Sequence, residues 1–233
     1  IHERLTDEYG FTGSYDSVQK FVQKIRRDIQ TKGTQELVWE PGCAQVDFGE
    51  ADFYLGGVRT RLYYLVVTFP FSNVGLPQIF PGENAECVCS GLIAIFEYVG
   101  GVPPRLVFDN ATGVGRKICG EIRTSELFSA FAAHYGFDYS FCNPDSGNEK
   151  GNVENKVGYS RRNAFVPVPT ITSFEEYNEG HLKQWCEDDA KRLHYIHQVP
   201  IQELWEEEQR ELLTLPSHPF TVFRYTSVRS EEH

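Results

Sequence analysis

The chain contains no methionine, and no apolar run approaches the roughly 20 residues that cross a bilayer as a helix, so a transmembrane helix is not expected. It has no positively charged, apolar, small-residue leader of the kind that marks secretion. It opens at Ile1 without an initiator and reads as a fragment of something longer. Disulfide staples are not expected either. Six cysteines (Cys43, Cys87, Cys89, Cys119, Cys142 and Cys186) are scattered over 233 residues, a chain large enough to bury a core without them, and they read as reduced, mostly buried thiols. Cys87 and Cys89 form a Cys-x-Cys pair, but no second Cys or His pair stands at zinc-finger spacing, which argues against zinc. A basic excess, the usual mark of a nucleic-acid partner, is missing too: the net charge is −11.

What is present is the composition of a folded domain. Hydrophobic residues make up 40% and charged residues 24%, which predicts one sizeable core plus a smaller partner. The negative charge is local. Between Ser173 and Glu211 eleven acidic residues face four basic ones, so that stretch alone supplies seven of the eleven net negative charges. Two helical segments, Tyr15 to Gln30 and Gly147 to Asn163, instead carry four basic and two acidic residues each.

Residues 1–30 read as a helix, a turn from Gly10 to Gly13, and a second helix that Ser14 can cap. Val18, Phe21, Val22 and Ile25 give that helix an apolar face, with Lys20, Lys24, Arg26 and Arg27 mostly on the others, a pattern fitting either the end of a helix-turn-helix or an amphipathic hairpin. Residues 31–42 are polar and turn-rich and read as a linker. Ala44 to Gly49, Asp52 to Leu55, Val58 to Pro70 and Val74 to Phe80 have strand composition, with Gly56-Gly57 as a hairpin turn, and predict an antiparallel meander. A helix over Asn84 to Tyr98, a strand over Arg105 to Phe108, a helix over Ser125 to Tyr135, a strand over Phe137 to Cys142 and a helix over Gly147 to Asn163 follow. That order predicts an α/β fold: a mixed five-stranded sheet with crossover helices on its faces, over residues 43–168. Two acidic helices, near Phe174 to Tyr195 and Ile201 to Leu213, make an extension over 169–215, and alternation from Phe220 to Val228 predicts the start of a β-unit within 216–233.

Three carboxylates stand out by position. Asp47 lies inside the first strand among apolar neighbours, where a charge is costly unless paired or metal-bound. Asp109 closes the strand Leu106-Val107-Phe108, at the end where ligands meet such sheets, and Glu154 lies in the Gly147 to Asn163 helix. The three converge if the two strands are neighbours and the helix packs over them. Hard Mg²⁺ or Mn²⁺ ions need oxygen ligands of this kind, and a pair of ions serves phosphoryl transfer. Lys150, Glu154, Gly158, Arg161 and Arg162 share one helical stripe, so the metal ligand and phosphate-binding cations fall on one side, and Lys156 joins Lys150, Arg161 and Arg162 as an expected phosphate contact. Glu50, Asp52, Asp138, Asp145 and Glu149 remain rival carboxylates.

Three segments, Gln45-Val46-Asp47-Phe48-Gly49-Glu50, Val107-Phe108-Asp109-Asn110 and Asn143-Pro144-Asp145-Ser146-Gly147-Asn148-Glu149-Lys150-Gly151-Asn152-Val153-Glu154, resemble the signature segments of IstA-type transposases of the insertion-sequence twenty-one family. The resemblance implies an RNase H-like integrase catalytic core with an Asp, Asp, Glu triad at Asp47, Asp109 and Glu154 and two Mg²⁺ or Mn²⁺ ions. It implies cleavage at transposon ends and strand transfer into target DNA. It further implies an IstB-like AAA+ ATPase helper, a homo-oligomer on DNA, no membrane, and a cytoplasmic, nucleoid-associated place in a bacterium. By the same likeness the N-terminal segment is the tail of a DNA-binding helix-turn-helix region and the last residues the start of a C-terminal β-barrel. The residues alone leave three other readings open: a glycosidase using two carboxylates as acid and base, another RNase H-like nuclease, and a non-catalytic DNA-binding or assembly module.

Overall fold

A computed structural model of the chain describes residues 2–33, 39–109, 113–118, 121–142 and 156–222, with the backbone alone described at 3, 26–33, 116–118 and 121. The chain divides into two compact units, Ile1–Leu37 and Val38–His233.

The first unit is a helical hairpin, α1 (His2–Tyr9) and α2 (Tyr15–Gly33). Ser14 caps α2, its Oγ accepting from the Ser17 amide at 3.3 Å. Helix α2 runs on to Gly33, so the first residues expected as linker are helical, the local propensity of Gln30-Thr31-Lys32 outweighing their polarity.

In the second unit, β1 (Cys43–Leu55), β2 (Val58–Phe69) and β3 (Val74–Phe80) form the meander. The turn between β1 and β2 is the two-residue loop Gly56-Gly57, with φ of 58° and 80°. Two consecutive positive φ values suit the mirror-image turn whose twist matches the strands, and glycine takes them without strain. Helix α3 (Ala85–Val99) starts at Asn84, whose side chain accepts from the Cys87 amide, and ends at Gly100 in the left-handed region. Next come β4 (Arg105–Phe108), a hairpin of β5 (Gly115–Ile118) and β6 (Glu121–Thr124), α4 (Glu126–Tyr135) and β7 (Asp138–Phe141). Helix α5 is described over 156–163. The two-residue strand β8 (Thr170–Ile171), α6 (Phe174–Glu176), a π-helical turn (Tyr177–Leu182), α7 (Lys183–Asp189) and α8 (Ile201–Glu211) complete the described elements. No helix among the described residues is long and apolar enough to cross a membrane.

The main sheet has the order β3-β2-β1-β4-β7, with β4 and β7 parallel to β1, and β8 adds a sixth strand beside the far end of β1. Because side chains alternate across a strand, the sheet buries two separate faces. On one, Val46, Leu65 and Val67 meet Leu92 and Phe96 of α3 and Phe128 of α4. On the other, Phe53, Tyr64 and Val66 meet Phe165, Tyr177 and Leu182 from the C-terminal third. The acidic extension is therefore a packed part of the second unit. Its Asn178 side chain pairs with both the amide (2.8 Å) and the carbonyl (3.0 Å) of Ile79, occupying backbone groups on edge strand β3.

The expected helix from Phe174 to Tyr195 stops at Asp189, where the chain turns back so that the Ile201 amide donates to the Arg192 carbonyl. Of the expected C-terminal strand, residues 220–222 are irregular, and the remainder lies outside the described residues.

Candidate active site

The site is built where β1 and β4 run side by side. Their parallel pairing extends from Cys43 opposite Arg105 to Val46 opposite Phe108, and the Asp109 amide donates to the Val46 carbonyl at 3.1 Å. The next step of that register sets Asp47 beside Asp109. Side-by-side residues of a parallel pair project to the same face. Asp47 is paired across the other edge of β1 with Val66, which assigns the face: it is the one that also holds Tyr64 and Phe53. Both aspartates are half-buried. The Asp47 carboxylate also accepts from the Phe48 amide at 2.8 Å.

Gly49 explains how a helix comes to lie near Asp47. A Cβ at Gly49 would stand 2.3 Å from Cζ and 2.4 Å from Oη of Tyr64, so only glycine leaves room for the tyrosine ring that crosses there. The Tyr64 hydroxyl then donates to the Val157 carbonyl of α5 at 2.9 Å, and the ring packs edge-on against Phe165. Burial pushes the Tyr64 hydroxyl up to about 12, with Arg161 and Arg162 pulling it down and the Asp47 charge pushing it up. Asp47 and both arginines thus act on one hydroxyl, which places them around the same part of the molecule. Arg161 and Arg162 are exposed on α5. A Cβ at Gly158 would lie 3.0 Å from Nη1 of the Arg162 guanidinium.

Glu154 and Lys150 lie outside the described residues, so the structure places two of the three expected carboxylates. Among the described residues no group of three or more His, Cys, Asp or Glu side chains is arranged to hold a metal. Lys20 and Lys24 are exposed on α2, while the side chains of Arg26 and Arg27 lie outside the described set. Two rival carboxylates project from the opposite face of β1: Asp52 pairs with Arg59 at 2.5 Å and Glu50 with Arg61 at 2.8 Å. Asp138 is exposed at the start of β7, and Asp145 and Glu149 lie outside the described residues.

Lys156 corrects the expectation that it meets a phosphate. It is only 3% exposed, and its Nζ lies 3.1 Å from the Asp189 carboxylate. A buried, paired ammonium is out of reach of a backbone phosphate. Its charge alone grouped Lys156 with the exposed arginines, because the partner that buries it is distant in sequence. Tyr64 and Asp189 are the residues that sequence reasoning passed over. A glycine two positions after a strand aspartate was the available signal for Tyr64.

No model of a known protein family matches the chain. A transposase of Aminobacter aminovorans is 34% identical over 234 residues, covering 96% of this chain and 46% of the relative. The transposase for insertion sequence element IS21 of Pseudomonas aeruginosa is 29% identical over 215 residues, covering 91% of this chain and 55% of the relative. The chain is similar to transposases of the IS21 kind. It spans about half the length of these relatives. Among solved structures, the catalytic core domain of BIV integrase superposes with a TM-score of 0.51 at 14% identity, covering 73% of this chain and 97% of that one. A chain of the simian T-cell lymphotropic virus intasome gives a TM-score of 0.51 at 14% identity, covering 85% and 63%. At such identity the likeness is one of fold. The mixed sheet flanked by helices is the RNase H-like fold of the integrase catalytic core.

Proposed function

We propose that the chain is the catalytic core of a DDE-type DNA transposase, cutting transposon ends and joining them to target DNA. The observation that carries the reading is the register that sets Asp47 beside Asp109 on one sheet face, with α5 held over that face by Tyr64. Two neighbouring carboxylates repel, and a divalent cation between them removes that cost. Their oxygens are the hard donors that Mg²⁺ and Mn²⁺ require, so the residues fit such ions.

In this reading Asp47, Asp109 and Glu154 hold two divalent ions. Bound there, such ions supply electrostatic stabilisation of the charge that develops on the reacting phosphate and on the attacking and leaving oxygens. The chain's own residues do the rest. Arg161 and Arg162, exposed on α5, hold the DNA backbone by charge-assisted hydrogen bonds, and Lys150, Lys20, Lys24, Arg26 and Arg27 add sequence-independent attraction. The similarity to transposases, and the RNase H-like fold, support this assignment. A homo-oligomer on DNA and an AAA+ helper ATPase complete the proposed assembly.

The test is cleavage of DNA carrying transposon ends by Asp47→Asn, Asp109→Asn and Glu154→Gln, with circular dichroism as the check on folding. Each folded variant is expected to lose Mn²⁺-dependent cleavage. Retained cleavage in all three, or undiminished activity in chelator, overturns the reading.

A further inference from the structure

A surface pocket of about 500 Å³ opens where the start of α3 meets the base of the β5–β6 hairpin, with Glu83, Asn84, Gly113, Arg123 and Ser125 in its lining. Its walls are anchored. Val114 is fully buried, and its carbonyl accepts from the Ser125 amide at 2.8 Å, which closes the hairpin onto the cap of α4. Gly113, with φ of 83°, lies so close to α3 that an added Cβ would stand 3.2 Å from Cγ2 of Val88. Gly113 is four residues past Asp109. At about 3.8 Å per step, the two Cα atoms are within about 15 Å of each other in any conformation.

Two side chains of opposite charge line this pocket, Glu83 half-buried and Arg123 exposed. Among the described residues neither has a hydrogen-bond or ion-pair partner, and they do not pair with each other. Burial raises the Glu83 carboxyl above its ordinary 4.5, and the Glu50 charge adds to the rise. A half-buried carboxylate without a donor is costly, so this one gains from a ligand that donates to it. Asn84 and Ser125 are already committed, since each side-chain oxygen accepts from an amide of the helix it caps. The pocket therefore offers one acceptor and one forked donor. In the major groove a G·C pair presents the complement: the cytosine amino group donates to a carboxylate, and guanine O6 and N7 accept together from an arginine. An A·T pair has no two adjacent acceptors for the fork.

We propose that Glu83 and Arg123 read a G·C base pair of the bound DNA and so set a sequence preference. The inference rests on the transposase reading and deepens it, by naming two residues that select which DNA reaches the carboxylates. Phosphate contacts alone would carry no such preference.

The experiment recovers bound duplexes from a random-sequence DNA library and sequences them, for the unmodified chain, Glu83→Gln, Arg123→Lys and Arg123→Ala. The readout is binding, so it needs no cleavage. The unmodified chain is expected to favour G·C at one position by about 5- to 150-fold, and each variant to lose that preference while keeping those at other positions. Arg123→Lys keeps the charge but not the fork, so it would retain the preference only if Arg123 acted as a point charge. Neither side chain has a partner to lose, and Glu83→Gln relieves the repulsion from Glu50, so the variants should fold, with circular dichroism as the check. No G·C preference in the unmodified chain, or a preference unchanged in Arg123→Lys and Glu83→Gln, overturns the proposal. Cleavage of the selected duplexes by Asp109→Asn judges the underlying reading separately: normal cleavage would sink the catalytic assignment, while the binding profile still decides the role of Glu83 and Arg123.

Discussion

Replacing Gly49 by alanine puts one methyl group where Tyr64 already is. The added Cβ would lie 2.3 Å from Cζ, 2.4 Å from Oη and 2.8 Å from Cε1, all closer than real contacts allow. Tyr64 is fully buried, with its ring 4.8 Å from Phe165, so it cannot swing aside without disturbing that contact. Overpacking of this kind costs about 1–3 kcal/mol. Displacing the hydroxyl from the Val157 carbonyl adds about 0.5–1.5 kcal/mol, for a total of about 1.5–4.5 kcal/mol. Urea unfolding of Gly49→Ala, Tyr64→Leu and the double variant isolates the clash, since only contacting residues show a large coupling energy. The cost of Gly49→Ala should nearly vanish in the Tyr64→Leu background. An equal cost in both backgrounds would refute the claim that this glycine exists to admit the tyrosine. Tyr64→Phe, which keeps the ring, should cost only about 0.5–1.5 kcal/mol, the worth of the lost hydrogen bond.

Two buried carboxylates should respond to pH in opposite directions. Burial works to raise the Asp189 carboxyl, but Arg192, Lys156 and Tyr159 outweigh it and hold it below its ordinary 3.8. Its contribution is therefore complete above 3.8 and lost as pH falls through the depressed value. Asp189→Asn should cost about 3–5 kcal/mol at pH 7, and the difference from the unmodified chain in urea unfolding should shrink in acid. Glu208 is fully buried and accepts from the Gly42 amide and from the Ser72 amide at 3.0 Å, yet burial raises its carboxyl above 4.5 despite them. Its contribution is complete below 4.5 and falls as pH rises through the folded value, so stability relative to Glu208→Gln should decline over that range. A pH-independent difference would show that Glu208 does not titrate there. In DNA binding, Arg161→Ala and Arg162→Ala should each lower the salt slope by about one, while Lys156→Met should leave the slope of the folded protein unchanged. A lowered slope in Lys156→Met would restore it to the interface.

The meander and the crossover order were legible because β1 and β2 are rich in apolar, β-branched and aromatic residues and because Gly56-Gly57 announces its own turn. Asn84, Ser125 and Gly100 likewise marked helix ends through chemistry that acts within four residues. The β5–β6 hairpin was missed because Gly115 to Thr124 is basic and polar, with little apolar alternation to read. Strand β8 is two residues long and exists only because β1 extends far enough to receive it. At the site, position within the expected strands singled out Asp47 and Asp109, but their adjacency belongs to the register between strands about sixty residues apart. The side chains misjudged were those whose surroundings are set at long range. Lys156 looked like its exposed neighbours until Asp189 buried it, and Glu208 looked like one more charge on a solvated helix until Gly42 and Ser72 enclosed it.

The central claim is that Asp47 and Asp109, with Glu154, form a cradle for divalent cations. Anomalous diffraction from crystals of the chain soaked in Mn²⁺ tests it directly. The account predicts two peaks about 3.5–4 Å apart among the three carboxylates. Peaks elsewhere with none between Asp47 and Asp109, at Mn²⁺ concentrations that support cleavage, would contradict it.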